Sequence, residues 1–326
     1  MFKNKDTHAK RSRRVIGGIC VDHLFKVNKP IWQKKNRMKS DGWAPGGGAA
    51  NVSVAHRSLA PNRHITLFAA VGEDADGRNL ALYMKERGIK MPVKPVRTHE
   101  TSFSHIYVDE DSRASTIFSA PGARAAPIPL DQVERSMLAA EALCLVAPFV
   151  NDQIAPILDI AAKFGVPVYF GLGSRQINVL GYSGLADSLT QKVEMVICNR
   201  DEAARLTGTS ELSEQLRALQ FGGKVRVAVV TEGPRGIHAV SDEGGSYHVP
   251  AYTDGRPVVD DTGAGDAAEA AIVDTLLRGK PLEIALLAGA RLGFEACTAA
   301  GATTNLLSAE EMKAYMASVT TATDVA

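Results

Sequence analysis

Short apolar runs alternate along the chain with segments that carry the spacing of amphipathic helices, and this alternation limits the possible folds. Six runs have the length of buried strands: 14–21, 64–71, 142–147, 166–170, 194–198 and 225–231. Among the segments between them, 78–87 and 152–163 place apolar residues on one helical face. Strands that alternate with helices favour a parallel sheet covered by helices. The pattern predicts an α/β fold with a doubly wound, mostly parallel sheet.

Two segments interrupt this rhythm and predict a second, smaller sheet. Residues 101–118 alternate polar and apolar side chains around a turn at 109–113, which is typical of a β-hairpin with one solvated face. Residues 25–43 are rich in Lys and Arg and show little helical spacing. Together they predict a small antiparallel sheet that projects from the α/β core. Another hairpin is expected at 236–249, with its turn at 242–245.

Composition and charge exclude several classes of protein. Hydrophobic residues make up 45% of the chain and charged residues 22%, a balance that suits a globular protein with a large core. The formal net charge of +1 lacks the positive excess typical of nucleic-acid-binding proteins. The longest apolar run, 142–150, is far shorter than the ~20 residues that a membrane-spanning helix needs. We therefore expect neither a nucleic-acid partner nor a membrane span.

The termini and the cysteines bear on the cellular compartment. The basic, polar start of the chain has no apolar core of a secretion signal. The four cysteines lie far apart and form no CxxC pair, as is usual in a reducing cytoplasm. We predict disordered tails at 1–11 and 321–326 and a cytoplasmic location.

The segment 257–266, followed by an Ala-rich helical pattern, carries the strongest functional signal. A short strand is expected to end at Asp260, and a turn through Gly263, Ala264 and Gly265 then leads into a helix. The first amides of a helix have no partner within it and attract anions, and glycine lets a phosphate approach the backbone closely. Asp266 is either a helix cap or a general base that takes a proton from an alcohol. The full string DDTGAGD favours the base.

This string resembles the second signature of the ribokinase-like (PfkB) carbohydrate kinases, D-T-x-G-A-G-D. Further segments resemble other family motifs in the family's order. They are the opening strand that ends in Asp22, the G-G-x-x-x-N run from Gly46 to Asn51, 71–77, the N-x-x-E of Asn199 and Glu202, the T-x-G of Thr231 and Gly233, and Gly301-Ala302. One glycine-rich match would be weak, whereas seven in order identify the chain as a member of this family.

The resemblance implies an α/β nucleotide-binding core under a small β-sheet, here called the lid. The core is expected at 12–22, 46–97 and 121–320, and the lid at 23–45 and 98–120. In many relatives the lid also forms a dimer contact, so the resemblance implies a homodimer. The basic run from Lys26 to Lys39 falls in the lid, either as a solvated face or dimer edge or as an attractor of an anionic acceptor.

The chemistry implied by the resemblance is transfer of the γ-phosphoryl group of ATP to a hydroxyl of a sugar or sugar derivative. Asp266 is then the base, and the amides of Gly263, Ala264 and Gly265 form the anion hole. The implied acceptor-binding residues are Asp22, Gly46, Gly47, Asn51 and Asp260. The implied nucleotide-binding residues are Asn199, Glu202, Thr231 and Gly233. Glu202 is also implied to hold Mg²⁺ through water, and the loop at Asp260 is a candidate site for a monovalent cation.

Several positions depart from the family pattern and leave the acceptor open. Asp261 stands where Thr is usual, and Gly171 and Gly173 replace the Asp and Asn of a D-x-N-x-R motif whose Arg175 is retained. Ribose-specific relatives carry Lys where this chain has Gly48. Two alternatives therefore stand beside a sugar kinase. One is a nucleoside kinase of the same family, and the other is a kinase-like protein that binds its ligand without turnover.

Overall fold

The computed structural model describes residues 12–28, 38–109, 115–148 and 150–323. The predicted tail at 1–11, part of the tail at 321–326 and most of the basic run lie outside these residues. The strands are β1 Ser12–Gly17, β2 Cys20–Val27, β3 Met38–Gly46, β4 His64–Phe68, β5 Ile89–Lys90, β6 Phe103–Asp109, β7 Ser115–Ala120, β8 Ala140–Val146, β9 Val168–Gly171, β10 Val193–Asn199, β11 Val225–Thr231, β12 Ile237–Ser241 and β13 Ser246–Val249. The α-helices are α1 Gly48–Leu59, α2 Ala75–Glu86, α3 Leu130–Met137, α4 Ile154–Lys163, α5 Ser174–Ser188, α6 Arg200–Thr207, α7 Leu212–Ala218, α8 Ala264–Leu277, α9 Leu282–Cys297 and α10 Ala309–Thr323.

The main sheet has the order β13-β12-β11-β10-β9-β8-β1-β4-β5 and is parallel from β11 to β5. The last two strands, β12 and β13, form the predicted antiparallel hairpin. Successive residues of a strand point to opposite faces, so Val15 joins one hydrophobic cluster and Ile16 the other. Because both faces are buried under helices, the predicted doubly wound α/β fold is confirmed.

The first predicted strand is two strands in the structure. β1 ends at Gly17 in the main sheet, and β2 begins at Cys20 in the small sheet. A Cβ atom on Gly17 would collide with the carbonyl oxygen of Val146, so only glycine allows this close crossing. The continuous apolar pattern concealed the change of sheet because both strands are buried at this point.

The small sheet has the order β3-β2-β6-β7. Its outer pairings are antiparallel, including the predicted hairpin of β6 and β7, and its central pairing of β2 with β6 is parallel. Asp22, Ser104 and Ser119 are register partners across three strands, and the two serine hydroxyls are 3.0 Å apart. One face of the small sheet therefore carries a polar row that begins at Asp22.

No helix in the described ranges is long and apolar enough to cross a membrane. The parallel strands β1, β8, β9, β10 and β11 all end at the same edge of the main sheet, and α8 begins beside this edge. Ligands of open α/β sheets bind outside the carboxyl ends of the strands. The fold thus places the candidate residues at this edge.

Candidate active site

Asp266 and Asn51 meet although 215 positions separate them in the sequence. The Asn51 Nδ2 donates a hydrogen bond of 2.8 Å to Oδ2 of Asp266. The other oxygen faces Gly48, where a Cβ atom would lie 3.1 Å from Oδ1. The two glycine-rich segments identified in the sequence are therefore parts of one site.

The carboxyl group of Asp266 is held in an electrostatically unfavourable place. Burial raises its pKa to about 6, the charge of Glu202 acts in the same direction, and the Asn51 hydrogen bond opposes both. The Asp266 residue as a whole is nevertheless partly exposed. A base that is ionised at neutral pH and has a pKa near that pH is well suited to accept a proton.

The turn before α8 depends on a left-handed glycine. Gly263 has φ +77° and caps the helix, and a Cβ atom there would lie 2.8 Å from the Cα of Ala302. The Ala264 amide donates to the carbonyl oxygen of Asp261 at 3.2 Å, so this member of the predicted anion hole already closes a turn. Gly265 faces open space, with no atom within 4 Å of a Cβ built on it. The helix N-terminus thus presents an unobstructed surface at Gly265.

The segment that leads into this turn is not the predicted strand. Val258 and Val259 are 63% and 55% exposed, and the amides of Val259 and Asp260 donate to the Cys297 carbonyl at the end of α9. Exposed valines bonded to a helix end cannot take part in the main sheet. The prediction of a short strand at 257–260 is therefore wrong.

Asp260 holds the turn in place. Its Oδ1 accepts from the Thr262 amide at 3.0 Å and its Oδ2 from the Gly301 amide at 2.8 Å. Burial alone would raise the pKa of Asp260, but these hydrogen bonds outweigh it and lower the pKa. The observed contacts of this predicted acceptor-binding residue are thus with the loop itself.

The predicted acceptor residues of the first signature lie where β2, β3 and α1 meet. Asp22 lies directly against Gly46, where a Cβ atom would collide with its carboxylate. Gly47 has φ +89° and caps α1, and a Cβ atom there would lie 2.7 Å from the Gly18 carbonyl oxygen. Burial raises the pKa of Asp22, and hydrogen bonds from Cys20 and Ser104 oppose the shift. Because Gly46 and Gly47 have no side chains, the end of β3 can lie directly against the Asp22 carboxylate and the start of α1 can lie against Gly18.

The predicted nucleotide residues lie at the ends of β10 and β11. Asn199 caps α6, accepting from the Glu202 amide at 2.8 Å, while Oε2 of Glu202 accepts from the Asn199 amide at 3.2 Å. Thr231 is the β11 partner of Asn199, and Gly233 follows with φ +54°. The charge of Glu202 raises the pKa of Asp266, so this capping box lies within electrostatic reach of the base.

Sequence reasoning missed two residues beside this site. Arg124 lies in a short turn after β7, where burial lowers its pKa, the Cys20 and Asp22 charges oppose the shift, and the Arg175 charge adds to it. The Arg124 guanidinium is thus within electrostatic reach of both Asp22 and Arg175. The second missed residue, Glu269, is buried on α8 one turn after Asp266. In the sequence, each of these two residues is marked only by being a charged residue among alanines.

Comparison with known proteins identifies the family of the chain. Residues 12–309 match the pfkB family of carbohydrate kinases. The chain is 24% identical over 316 residues to the ribokinase of Haemophilus influenzae, covering 94% of this chain and 99% of that protein. It is 26% identical over 272 residues to an ATP-dependent ribose-1-phosphate kinase of Halopiger xanaduensis, covering 83% of this chain and 86% of that protein.

Among solved structures, Arabidopsis thaliana ribokinase complexed with ribose and ATP superposes with a TM-score of 0.79. The identity is 20%, and the match covers 94% of this chain and 98% of the other. This likeness confirms the ribokinase-like fold. Since the family match spans nearly the whole chain, the protein belongs to the pfkB family of carbohydrate kinases, phosphotransferases with an alcohol group as acceptor.

Proposed function

We propose that the protein transfers the γ-phosphoryl group of ATP to a hydroxyl of a sugar derivative, with Asp266 as the base. The acceptor oxygen bonds to the γ-phosphorus, the bond from that phosphorus to the β,γ-bridging oxygen breaks, and ADP leaves. The hydroxyl proton passes to Asp266. The observation that carries this proposal is the Asp266 carboxylate at the first turn of α8, hydrogen-bonded to Asn51. Helix amides and a positioned base are what a loose phosphoryl transition state requires.

The nucleotide is proposed to lie along the ends of β10 and β11. Asn199, Thr231 and Gly233 would line it, and the amides of Gly263 and Gly265 would face its terminal phosphate. The described residues contain no cluster of three or more metal-ligating side chains. Mg²⁺ needs no such cluster, because it keeps its waters and binds one or two carboxylates together with substrate phosphates. Glu202 fits that role through water, and the bound ion would neutralise phosphate charge.

The acceptor is proposed to carry an anionic group besides its hydroxyls. Asp22 and Asn51 supply short polar side chains for hydroxyls, whereas Arg124 and Arg175 bring two positive charges to the same region. Guanidinium groups are well suited to bind a carboxylate or phosphate through paired hydrogen bonds. The similarity to a ribose-1-phosphate kinase supports an acceptor with a negative charge. Sugar phosphates and sugar acids share this chemistry.

Replacement of Arg175 by methionine tests this acceptor class. The KM for an anionic acceptor is expected to rise about 10–100-fold, since a hydrogen bond to a charged group contributes ~1.5–3 kcal/mol. The KM for ATP and the kcat should stay near the wild-type values. Arg217→Met, an exposed change on α7, serves as the control. Equal effects on charged and neutral sugars would contradict the assignment.

The activity is expected to fall in acid. Asp266 works as a base only when ionised, and burial places its pKa at about 6. Below that pH, kcat/KM should decrease about tenfold per pH unit as the carboxylate takes up a proton. A profile that stays flat down to pH 4.5 would show that a different group, or none, accepts the proton.

A panel of sugars, sugar phosphates, sugar acids and nucleosides, assayed for ADP release, tests the function itself. We expect turnover with a sugar phosphate or sugar acid. Turnover with nucleosides alone would favour the nucleoside kinase. Thermal stabilisation by a panel member without any ADP release would favour a binding protein.

We also propose a homodimer, a cytoplasmic location and a monovalent-cation site. A homodimer through the small sheet fits the exposure of Ile117 and Phe118, which are 58% and 55% exposed. The cytoplasm suits a reaction that consumes ATP and a chain whose four cysteines are free. The monovalent cation is proposed to bind at the loop that contains Asp260.

A further inference from the structure

Glu269 is a buried carboxyl group next to the proposed base. It lies on α8 three residues after Asp266, a spacing that puts both side chains on one side of the helix. Its side chain is 4% exposed, and Oε1 is fully buried without a hydrogen-bond partner. Burying a carboxyl group in this way is costly, so its presence beside the base calls for a function.

The backbone of β9 is shaped to receive this group. A Cβ atom on Gly171, the last residue of β9, would collide with Oε2 and lie 2.9 Å from the carboxyl carbon of Glu269. Any residue other than glycine would therefore displace the carboxyl group. The absence of a side chain at Gly171, a departure from the family motif, leaves the space that Glu269 fills.

Among the residues that the structure describes, Glu269 has no positively charged partner. Within the described parts of the chain, no Lys, Arg or His forms an ion pair or a hydrogen bond with it. The ionisable groups that face it are Asp266 on its own helix and the Cys144 thiol on β8. Behind that thiol lie His56, with Nε2 3.3 Å from Sγ, and Arg13. Burial raises the pKa of Glu269 well above its usual range, and the Asp266 charge adds to the shift. Both effects favour the protonated, uncharged form of Glu269 beside an ionised Asp266.

We propose that Glu269 is a positioning residue of the reaction, whose carboxyl group rests on Gly171 and supports Asp266 in the orientation that receives the acceptor's proton. This inference rests on the proposed function. An uncharged carboxyl group fills the space beneath the base without repelling it or the phosphoryl oxygens. Once ionised, the same group would repel both. The enzyme should therefore lose activity at alkaline pH, because Glu269 becomes ionised there.

The pH dependence of kcat tests this role. In the wild type, kcat should fall at alkaline pH, by about tenfold per pH unit once Glu269 ionises. In Glu269→Gln, which keeps the shape but cannot ionise, kcat at neutral pH should stay near wild type and the alkaline fall should disappear. Glu283→Gln, an exposed change on α9, should leave the profile unchanged.

Removal of the Glu269 side chain tests whether this residue holds Asp266 in its orientation. Glu269→Ala should lower kcat by about 10–100-fold with an unchanged KM for ATP, because the base is no longer held in place. Gly171→Ala should lower the Tm in the wild type but much less in the Glu269→Ala background, where no carboxyl group remains to collide with. An equal loss in both backgrounds, a wild-type kcat in Glu269→Ala, or identical alkaline profiles of wild type and Glu269→Gln would each overturn the proposal.

A measurement without any acceptor separates this inference from the proposed function. Carbon-13 NMR of protein labelled at glutamate carboxyl groups, assigned with Glu269→Gln, should show Glu269 protonated at neutral pH. Titration in the ordinary acidic range would overturn the inference. A wild type that phosphorylates no acceptor would instead refute the proposed function, and the NMR result would still decide the state of Glu269.

Discussion

Replacement of Asp266 by asparagine is expected to lower kcat by about 10²–10⁴-fold, the usual contribution of a general base. The asparagine has nearly the same shape and can still accept the hydrogen bond from Asn51 Nδ2, but it cannot take up a proton at neutral pH. Steady-state assays with the preferred acceptor measure the loss. Calorimetric titration with ATP should show binding close to that of the wild type, since the change leaves the helix amides in place.

The same variant should be more stable than the wild type at neutral pH. Because the folded-state pKa of Asp266 lies above its unfolded value, the folded protein binds more protons between the two, and its stability decreases as the pH rises through that range. A shift to about 6 from 3.8 corresponds to a cost of about 2–3 kcal/mol when the group is ionised. Asparagine carries no charge, so the Asp266→Asn variant lacks the destabilisation caused by a buried ionised carboxylate. Its Tm should exceed the wild-type value at pH 7 and approach it at pH 3.5. A variant that is both inactive and less stable would indicate a purely structural role.

Replacement of Gly265 by valine is expected to reduce turnover by at least about 10²–10³-fold, the loss typical of a removed anion-hole donor. A Cβ atom at Gly265 meets no atom within 4 Å, so the fold has room for the side chain. The isopropyl group would instead fill the space through which a phosphate must approach the helix amides. The loss should therefore be seen in ATP binding and kcat, with a Tm near the wild-type value.

Gly263→Ala is the matched comparison for this prediction. Its φ of +77° and its contact with Ala302 leave no room for a side chain, so this change should lower the Tm as well as the activity. If Gly265→Val retained normal turnover, the open surface at the start of α8 would not be where the phosphate binds.

The sequence predicted the architecture because the parallel strands are buried on both faces and their apolar runs are short and separated by helices. The sequence-based prediction failed at two places, where an apolar run does not reveal which sheet, if any, its residues join. The run at 14–21 stays apolar while the chain passes from the main sheet to the small one, and only the collision geometry at Gly17 reveals the break. At 257–260, Val258 and Val259 have strand-forming side chains but are exposed in the structure.

The contact between Asn51 and Asp266 was predictable only as an implication of the family resemblance, because no local pattern connects two segments so far apart. Glu269 and Arg124 could not be assigned even in that way. The significance of Glu269 depends on the missing side chain at Gly171, and that of Arg124 on its closeness to Asp22 and Arg175. Such tertiary contacts leave no periodicity or spacing in the sequence.

A crystal structure with ADP, aluminium fluoride, Mg²⁺ and the preferred acceptor would show whether phosphoryl transfer takes place at the start of α8, because the fluoride complex imitates the phosphoryl group in transfer. We expect the aluminium centre in front of the amides of Gly263 and Gly265, with the attacked acceptor oxygen within hydrogen-bond distance of the Asp266 carboxylate. An aluminium centre bound away from the start of α8, or an acceptor oxygen that faces a different base, would contradict it.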